Sequence, residues 1–551
     1  MSESSLQTPL QKLRHWEQHA PERIYLRQPV DRQWREFSWR EVGEQARRLT
    51  AALRGFGLRP GDRVGIFSKN CAEWIIADLA VMLGGFVSVP IYSTANAQTL
   101  RYVLEHSEAR ALFVGKLDQT EDLGPAIPSG CVSIGFPYPT APTEHAWAEL
   151  LGAHAPTGDP ADPSLDDVMT ILYTSGSTGN PKGAVHTYRS FAYAGTHLAP
   201  LLGCDEQTRI LSYLPLAHCT ERAYVEAPSL YHALQVSFSE SLATFFDDLK
   251  SVRPTLFGSV PRLWKRFQLG VLQMMPQAQL DQALANPQMA EAVRHKIAQG
   301  LGLDASTWNG SGAAPMAPAL LEWWQSVGLP ICEGWGMTET FAFGSQTLPG
   351  QEIRIGTIGK AYPDTELVTS DEGELLIKSP TMMREYYKEP EKTAASFTED
   401  GFFRTGDRAE IDADGYIKIT GRVKEIFKTA KGKYVAPVPI ESQLAQGGLV
   451  EQVCVVGIGR KQPVALVQVV EGHGLDQAAV GQALAALMMQ VNEGLESHER
   501  LDRIIVIDQP WTPGNGLLTP TLKIKRHLVE AKYQALIARD DEARVEFEAD
   551  G

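Results

Sequence analysis

The sequence predicts an α/β protein: a large N-terminal domain of helix-covered sheets with a β-rich subdomain, then a small mobile α+β C-terminal domain. Three observations lead there. Helix and strand patterns alternate over the first four hundred residues. From about Gly359 the texture turns to short strands separated by Asp-Gly and Lys-Gly turns. After about Val423, strand signals surround one long helical stretch. At 551 residues the chain exceeds one ordinary core, and the expected domains are 1–423 and 424–551, with the boundary at Arg422 to Glu425.

Taken in order, the polar opening "MSESSLQTPLQKLRHWEQHAPER" predicts no secretory signal. "WREVGEQARRLTAALRGFG" has apolar residues at helical spacing and stops at glycine. "DRVGIFSK" and "ALFVG" read as strands, with the helical "TLRYVLEHSEA" between them. The most apolar stretch, Trp74 to Tyr92, holds Asp78, a Gly84-Gly85 pair and Pro90, so it predicts a buried helix running into a buried strand. "DDVMTILYT" is a strand entering a Gly/Ser/Thr-rich loop, and "HTYRSFAYAGTHLA" after that loop reads as a helix. Further on, "GELLIKSP", "GFFRTGDRAEIDADGYIKITGR" and "KEIFKTAKGKYVAP" are short strands. "EQVCVVGIG" and "PVALVQVV" follow as strands, then a helix near Leu475 to Glu499 and a final strand, loop and helix through "LDRIIVIDQPWTPGNGLLTPTLKIKRHLVEAKYQAL".

A formal charge of −15 argues against a nucleic-acid partner, which would call for a basic face. The six cysteines are scattered without C-x-x-C or His/Cys ligand spacing, which reads as reduced thiols rather than a disulfide framework or zinc site. The expected location is the cytoplasm. Peripheral attachment to the inner membrane face stays open, with "RLWKRF" as an amphipathic candidate set against a packed surface helix. Oligomeric state is not readable.

The loop "YTSGSTGNPKG", Tyr173 to Gly183, is the first chemistry-bearing stretch. Successive glycines let N–H groups turn toward an anion, the hydroxyls of Thr174, Ser175, Ser177 and Thr178 add donors, and Lys182 adds charge. The helix expected to follow would contribute its N-terminal dipole. Its glycine spacing is not that of a Walker loop. By itself the stretch fits either a phosphate cradle or a plain mobile loop.

Four further stretches follow in fixed order: "EGWGMTET" (333–340), "FFRTGD" (402–407), "GRVKEIFKTAKGKYVAP" (421–437) and "TPTLKIKR" (519–526). Together with the loop, they resemble the adenylate-forming superfamily of acyl-CoA synthetases, luciferases and peptide-synthetase adenylation domains. "PIYSTANAQTLRYVLEHSEARALFVG", "LPLAHCTER" and "RPTLFGSVPRLWKRF" are most similar to long-chain fatty acyl-CoA synthetases. The resemblance implies an ATP-dependent acid–thiol ligase acting in fatty acid metabolism. In it a carboxylate attacks the α-phosphate of ATP, giving acyl-AMP and pyrophosphate, and coenzyme A then displaces AMP. Its substrates would be a fatty acid, ATP and coenzyme A, with Mg²⁺ as cofactor. An acyl-AMP ligase, a ligase for another hydrophobic acid, and a catalytically silent nucleotide- or acyl-binding regulator are the alternatives.

The same resemblance implies the site residues. Thr174, Ser175, Gly176, Ser177, Thr178, Gly179 and Lys182 would enclose the β- and γ-phosphates, and Glu339 with Thr174 would hold Mg²⁺. Thr338 would donate to the α-phosphate. Trp335 stands where the family usually has tyrosine, stacked on adenine, beside Glu333, Gly334, Gly336 and Met337. Gly312 and Ala313, in "NGSGAAP", would line the adenine and acyl sites. Asp407 would accept from the ribose hydroxyls, with Arg422 as a second nucleotide contact. Lys424 would be the hinge, and Lys428, with Lys433, would assist adenylate or coenzyme A phosphates. Lys523 would serve adenylation, with Lys525 as the alternative, and His218 would sit at the mouth of the acyl pocket. Cys219, its neighbour, is not read as a nucleophile, because coenzyme A brings its own thiol.

Overall fold

The Trp74–Tyr92 stretch divides into a helix, Ala72–Leu83, all of whose residues are buried, and a strand, Val87–Ile91, buried throughout. A helix buried on every face, Glu73 and Asp78 included, belongs at the centre of a domain rather than on its surface. The computed structural model of the chain describes residues 6–118, 123–138, 141–158, 162–174, 181–472, 474–519, 523–539 and 543–550. The helix Trp39–Gly55 packs on the buried one, and its start is set by a capping box: Ser38 Oγ accepts from Glu41 N–H while the Glu41 carboxylate accepts from Ser38 N–H.

Three sheets position the site. An eight-stranded sheet runs in the order Glu385–Tyr386, Lys182–Thr187, Val168–Thr174, Val87–Ile91, Arg63–Phe67, Ala109–Val114, Val132–Gly135 and His145–Ala146. Its centre is parallel, as the alternation of helix and strand signals predicts, and its buried strands are almost purely apolar. A second sheet runs Leu256–Ser259, Trp308–Ser311, Ile331–Trp335, Ser345–Gln346 and Lys360–Ala361. The β-rich subdomain is an antiparallel sheet of Glu366–Thr369, Glu374–Lys378, Phe403–Ile411 and Ile417–Arg422.

One expectation is corrected at the glycine-rich loop. No helix follows it directly: Lys182–Thr187 is a strand pairing antiparallel with Val168–Thr174, from Thr174 opposite Lys182 to Val168 opposite Thr187. The chain therefore returns along the whole strand before the helix Tyr188–Leu201 begins. A helix dipole acts only near its own end. The glycine-rich loop draws no support from this one.

Beyond Arg422 come a short hairpin, Phe427–Lys428 with Tyr434–Val435, and a sheet of Val450–Val456, Val464–Val469, Arg503–Val506 and Val545–Phe547. The expected helix occupies Gln477–Glu493, shorter than the stretch to Glu499, and Asp476 caps it by accepting from Ala479 N–H. The last strand was not expected, since three residues are too few to show a period. "RLWKRF" lies in the helix Pro261–Met274, whose Trp264 and Phe267 are buried and whose Trp264 Nε1–H donates to Gly310 O. Its apolar face thus packs on its own domain. Among the described residues no helix is long and apolar enough to cross a membrane. The C-terminal domain meets the other through the exposed pair Arg262–Glu451, at 2.7 Å.

Candidate active site

The turn that follows Ile331–Trp335 is built for close backbone approach. A Cβ on Gly336 would sit 2.5 Å from Ala342 O, and one on Gly312 would sit 3.2 Å from Gly334 O. Glycine at these positions lets the two chain crossings nest. Ala313, beside Gly312, is exposed with φ +67°. Glu333 accepts from Met316 N–H at 3.0 Å, and burial raises its carboxyl pKa to about 7. Met337 N–H donates to Thr340 Oγ1 at 3.1 Å, closing the one-turn 3₁₀ helix Thr338–Thr340.

That turn is held from three sides. His186 Nε2–H donates to Thr338 O at 2.7 Å, Met383 N–H donates to Glu339 O at 2.7 Å, and Thr381 Oγ1–H donates to Thr340 O at 2.7 Å. Burial lowers the His186 pKa to about 4, so the ring is neutral and its Nδ1 is free to accept from Ser190. Glu339 itself is half-buried, and its Oε1 accepts from Tyr386 Oη–H at 2.6 Å. Its Oε2 has no protein partner among the described residues. These residues hold no group of three or more His, Cys, Asp or Glu suited to a metal. One such carboxylate suits Mg²⁺, which takes one or two protein carboxylates and completes its shell with phosphate and water. The donor set fits the ion.

Thr174 and Lys182 face each other across the strand pair at the mouth of the loop. Ser175, Gly176, Ser177, Thr178 and Gly179 lie outside the described residues. Lys182 Nζ lies over the Tyr386 ring, 5.2 Å from its centroid. The lysine at the loop's exit and the carboxylate of the Thr338–Thr340 turn thus meet at one tyrosine, the first over its ring and the second at its hydroxyl.

Asp407 stands opposite Arg422 on neighbouring antiparallel strands and is only 4% exposed. Its Oδ1 pairs with Arg422 Nε at 2.9 Å, and its Oδ2 accepts from Trp335 Nε1–H at 2.9 Å. Each carboxylate oxygen has two acceptor sites, so one per oxygen remains for a diol. The Trp335 indole thus orients the acid. No spacing in the sequence signals that contact.

Lys523 comes from the C-terminal domain into the same cleft. Its N–H donates to Thr519 Oγ1 at 3.0 Å and its O accepts from Thr519 N–H at 2.8 Å, which anchors its backbone to Thr519. The side chain keeps accessible surface, yet the surrounding walls desolvate it enough to lower its pKa. Arg422 lowers it further, while Asp407, Cys219 and Glu339 act in the opposite sense. Lys525 stands at the N-cap position of the helix Arg526–Lys532, without a side-chain capping hydrogen bond.

His218 Nδ1 accepts from Thr220 N–H at 3.2 Å, and its ring lies 6.4 Å from that of Tyr92. Burial, with the Lys523 charge nearby, lowers its pKa to about 4. Cys219 Sγ is 3.8 Å from His218 Nδ1 and 3.7 Å from Thr338 Oγ1. Burial raises this thiol to about 11, so it is protonated beside a neutral imidazole and is a poor nucleophile. Lys424 is exposed in the turn after Ile417–Arg422. Lys428 and Lys433 are exposed on or beside the small hairpin, with Lys428 Nζ over the Tyr434 ring rather than against the cleft.

Sequence and structure comparisons show which known proteins the chain is similar to. The family profile described as AMP-binding enzyme matches residues 13–387, and that of the AMP-binding enzyme C-terminal domain matches residues 424–540. The chain is 29% identical to a long-chain-fatty-acid–CoA ligase, FadD15, of Mycobacterium bovis, over 94% of both chains. It is 32% identical to a putative fatty-acid–CoA ligase, fadD11, of Mycobacterium tuberculosis, over 68% of this chain and 73% of the other. Among solved structures, the adenylation domain of a carboxylate reductase from Mycobacterium chelonae superposes with a TM-score of 0.81 at 25% identity, covering 97% of this chain and 91% of that one. With the profile spanning most of its length, the chain belongs to the AMP-binding enzyme family.

Proposed function

We propose that this chain is an ATP-dependent ligase that joins a long-chain fatty acid to coenzyme A through an acyl-adenylate. One observation carries the reading: the Asp407 carboxylate, held by Arg422 and Trp335, and the Glu339 carboxylate, held by Tyr386, are anchored on one short segment, with Lys523 of the C-terminal domain near enough to interact with both charges. A nucleotide with an acid beside it needs that combination of a metal carboxylate, a ribose acceptor and a cation at the reacting phosphate. The long-chain ligases it resembles support the acyl half of the proposal.

Lys182 and the loop hydroxyls bind the β- and γ-phosphates, and Thr338 donates its hydroxyl to the α-phosphate. Glu339 and Thr174 would hold Mg²⁺, which when bound neutralises charge on the departing pyrophosphate. Asp407, oriented by Arg422 and Trp335, accepts from the ribose hydroxyls. In the first step the fatty carboxylate oxygen bonds to the α-phosphorus and pyrophosphate leaves, while Lys523 bridges the incoming carboxylate and the α-phosphate. In the second, the coenzyme A sulfur bonds to the acyl carbon and AMP leaves. Neutral His218 borders the acyl end without carrying a proton to it.

The domains divide at 423/424. Lys424, exposed in its turn, is the hinge about which the C-terminal domain withdraws Lys523 before thioester formation. The exposed Arg262–Glu451 pair breaks at small cost when it does, since surface pairs are worth about 1 kcal/mol or less. Six free cysteines, five of them buried, suit a reducing compartment.

The reading is tested by pyrophosphate release with ATP, Mg²⁺ and short-, medium- and long-chain carboxylates, each with and without coenzyme A. Release with long chains and a thioester product in the presence of coenzyme A are expected. Release without thioester would make the chain an acyl-AMP ligase, and no release with any acid would sink the enzyme reading. Asp407→Ala is expected to raise the KM for ATP about ten- to a hundredfold, the worth of one or two charge-assisted hydrogen bonds. An unchanged KM would remove Asp407 from the nucleotide site.

A further inference from the structure

We infer that Tyr386 is the positioning residue of the metal–triphosphate site, aiming the Glu339 carboxylate with its hydroxyl while seating the Lys182 ammonium on its ring. The inference rests on the proposed reading of Glu339 as the Mg²⁺ carboxylate and deepens it.

The geometry is specific. Tyr386 sits on the two-residue strand Glu385–Tyr386, at the edge of the large sheet, and pairs with Ala184, two residues after Lys182. That register brings its ring beneath Lys182 Nζ at 5.2 Å. It also brings Oη within 2.6 Å of Glu339 Oε1, across 47 residues of sequence. The ring is fixed from its own side, because Tyr386 N–H donates to Thr393 Oγ1 at 3.0 Å and Tyr387 N–H donates to Gly183 O at 2.7 Å. Tyr386 is 5% exposed and packs with Ala184, Ile377, Met383 and Phe403, so it has little freedom to turn away.

The consequence is a division of labour on one carboxylate. A hydroxyl donating to Oε1 leaves Oε2 as the open oxygen and fixes its direction. A carboxylate whose second oxygen is already held enters a metal's shell with less rotational freedom to lose, which is how outer hydrogen bonds raise metal affinity. Because Lys182 leans on the same ring, the cation for the outer phosphates and the carboxylate for the metal keep a fixed separation. The two ends of a metal–triphosphate complex are then presented as one unit.

The test uses the whole chain with a non-hydrolysable ATP analogue, reading Mn²⁺ in the ternary complex by electron paramagnetic resonance. Tyr386→Phe keeps the ring under Lys182 and removes only the hydroxyl. It is expected to weaken Mn²⁺ roughly tenfold, the size of effect outer-shell partners show, while the metal-free analogue binds as in the wild type. Tyr386→Leu removes the ring as well and is expected to weaken the metal-free analogue too. Glu339→Gln separates the two layers of the argument. If it leaves Mn²⁺ affinity unchanged, the metal assignment itself fails. If it weakens Mn²⁺ while Tyr386→Phe does not, Tyr386 is only a core residue and the inference is overturned.

Discussion

Lys523→Ala lowers the rate of pyrophosphate release by about two to three orders of magnitude and leaves thioester formation from supplied acyl-AMP nearly intact. The size follows from the role. Negative charge builds on the α-phosphate oxygens as the carboxylate approaches, and a fixed donor in a partly desolvated cleft is worth that much in the transition state. The selectivity follows from the proposed hinge, which turns the C-terminal domain away for the second step. Lys525→Ala is expected to leave both steps close to wild type, since it is Lys523 that interacts with the charges of Arg422, Asp407 and Glu339. Equal losses in the two half-reactions of Lys523→Ala would overturn the assignment.

The same lysine sets an alkaline limit. Desolvation and the Arg422 charge lower its pKa below that of an ordinary lysine. The ammonium is the working form. Adenylation is therefore fully supported below that lowered pKa and fails as pH rises through it, earlier than a free lysine would allow. In Lys523→Arg, whose guanidinium does not titrate, the residual adenylation activity is expected to lose this alkaline limb.

How far the sequence reached depends on the range of the interactions. The buried helix Ala72–Leu83 and the central strands were legible, because apolar runs and glycine stops are local. Lys182, Thr338, Glu339 and Asp407 could be proposed from short motifs, each carried within a few residues. The strand Lys182–Thr187 was not legible, since "KGAVHT" has no alternation, being buried through its middle on both faces. Nor were the groups that orient the site. His186 reaches Thr338 across 152 residues, Trp335 reaches Asp407 across 72, and Tyr386 reaches Glu339 across 47. Those contacts are set by which strands lie side by side, and no periodicity within one segment encodes that. "LPLAHCTER" shows the same limit: its resemblance pointed to the acyl side, while the structure gives its last two residues to the core.

Arg222, the final residue of that stretch, carries the largest stability effect expected of any single side chain here. It is wholly buried with Asp78, at 2.8 Å from Nη2 to Oδ2, and Glu226 lies 3.4 Å from its Nε. Asp78 comes from the central helix, so the pair ties that helix to the segment bordering the proposed acyl site. Three ionisable groups in one dry pocket do not all stay charged. Burial drives the Glu226 carboxyl upward more than Arg222 pulls it down, and Asp78 adds to the rise, leaving Glu226 protonated beside one balanced ion pair. The guanidinium also lies over the rings of Trp74 and Phe191, at 5.3 and 5.8 Å. Arg222→Met removes the only cation facing Asp78 in the described contacts and strands a carboxylate in the core. The expected cost is about 3–5 kcal/mol, the penalty for breaking a buried pair from one side. Glu226→Gln, which copies the protonated acid, is expected to leave the urea midpoint near wild type. If Arg222→Met unfolds at the wild-type midpoint, the pair does not hold the helix. If Glu226→Gln is as damaging as Arg222→Met, Glu226 is ionised and the pocket holds two negative charges on one positive. The double change Asp78→Leu with Arg222→Met would then separate burial from pairing: it recovers stability over Arg222→Met alone only where the cost lies in the stranded charge.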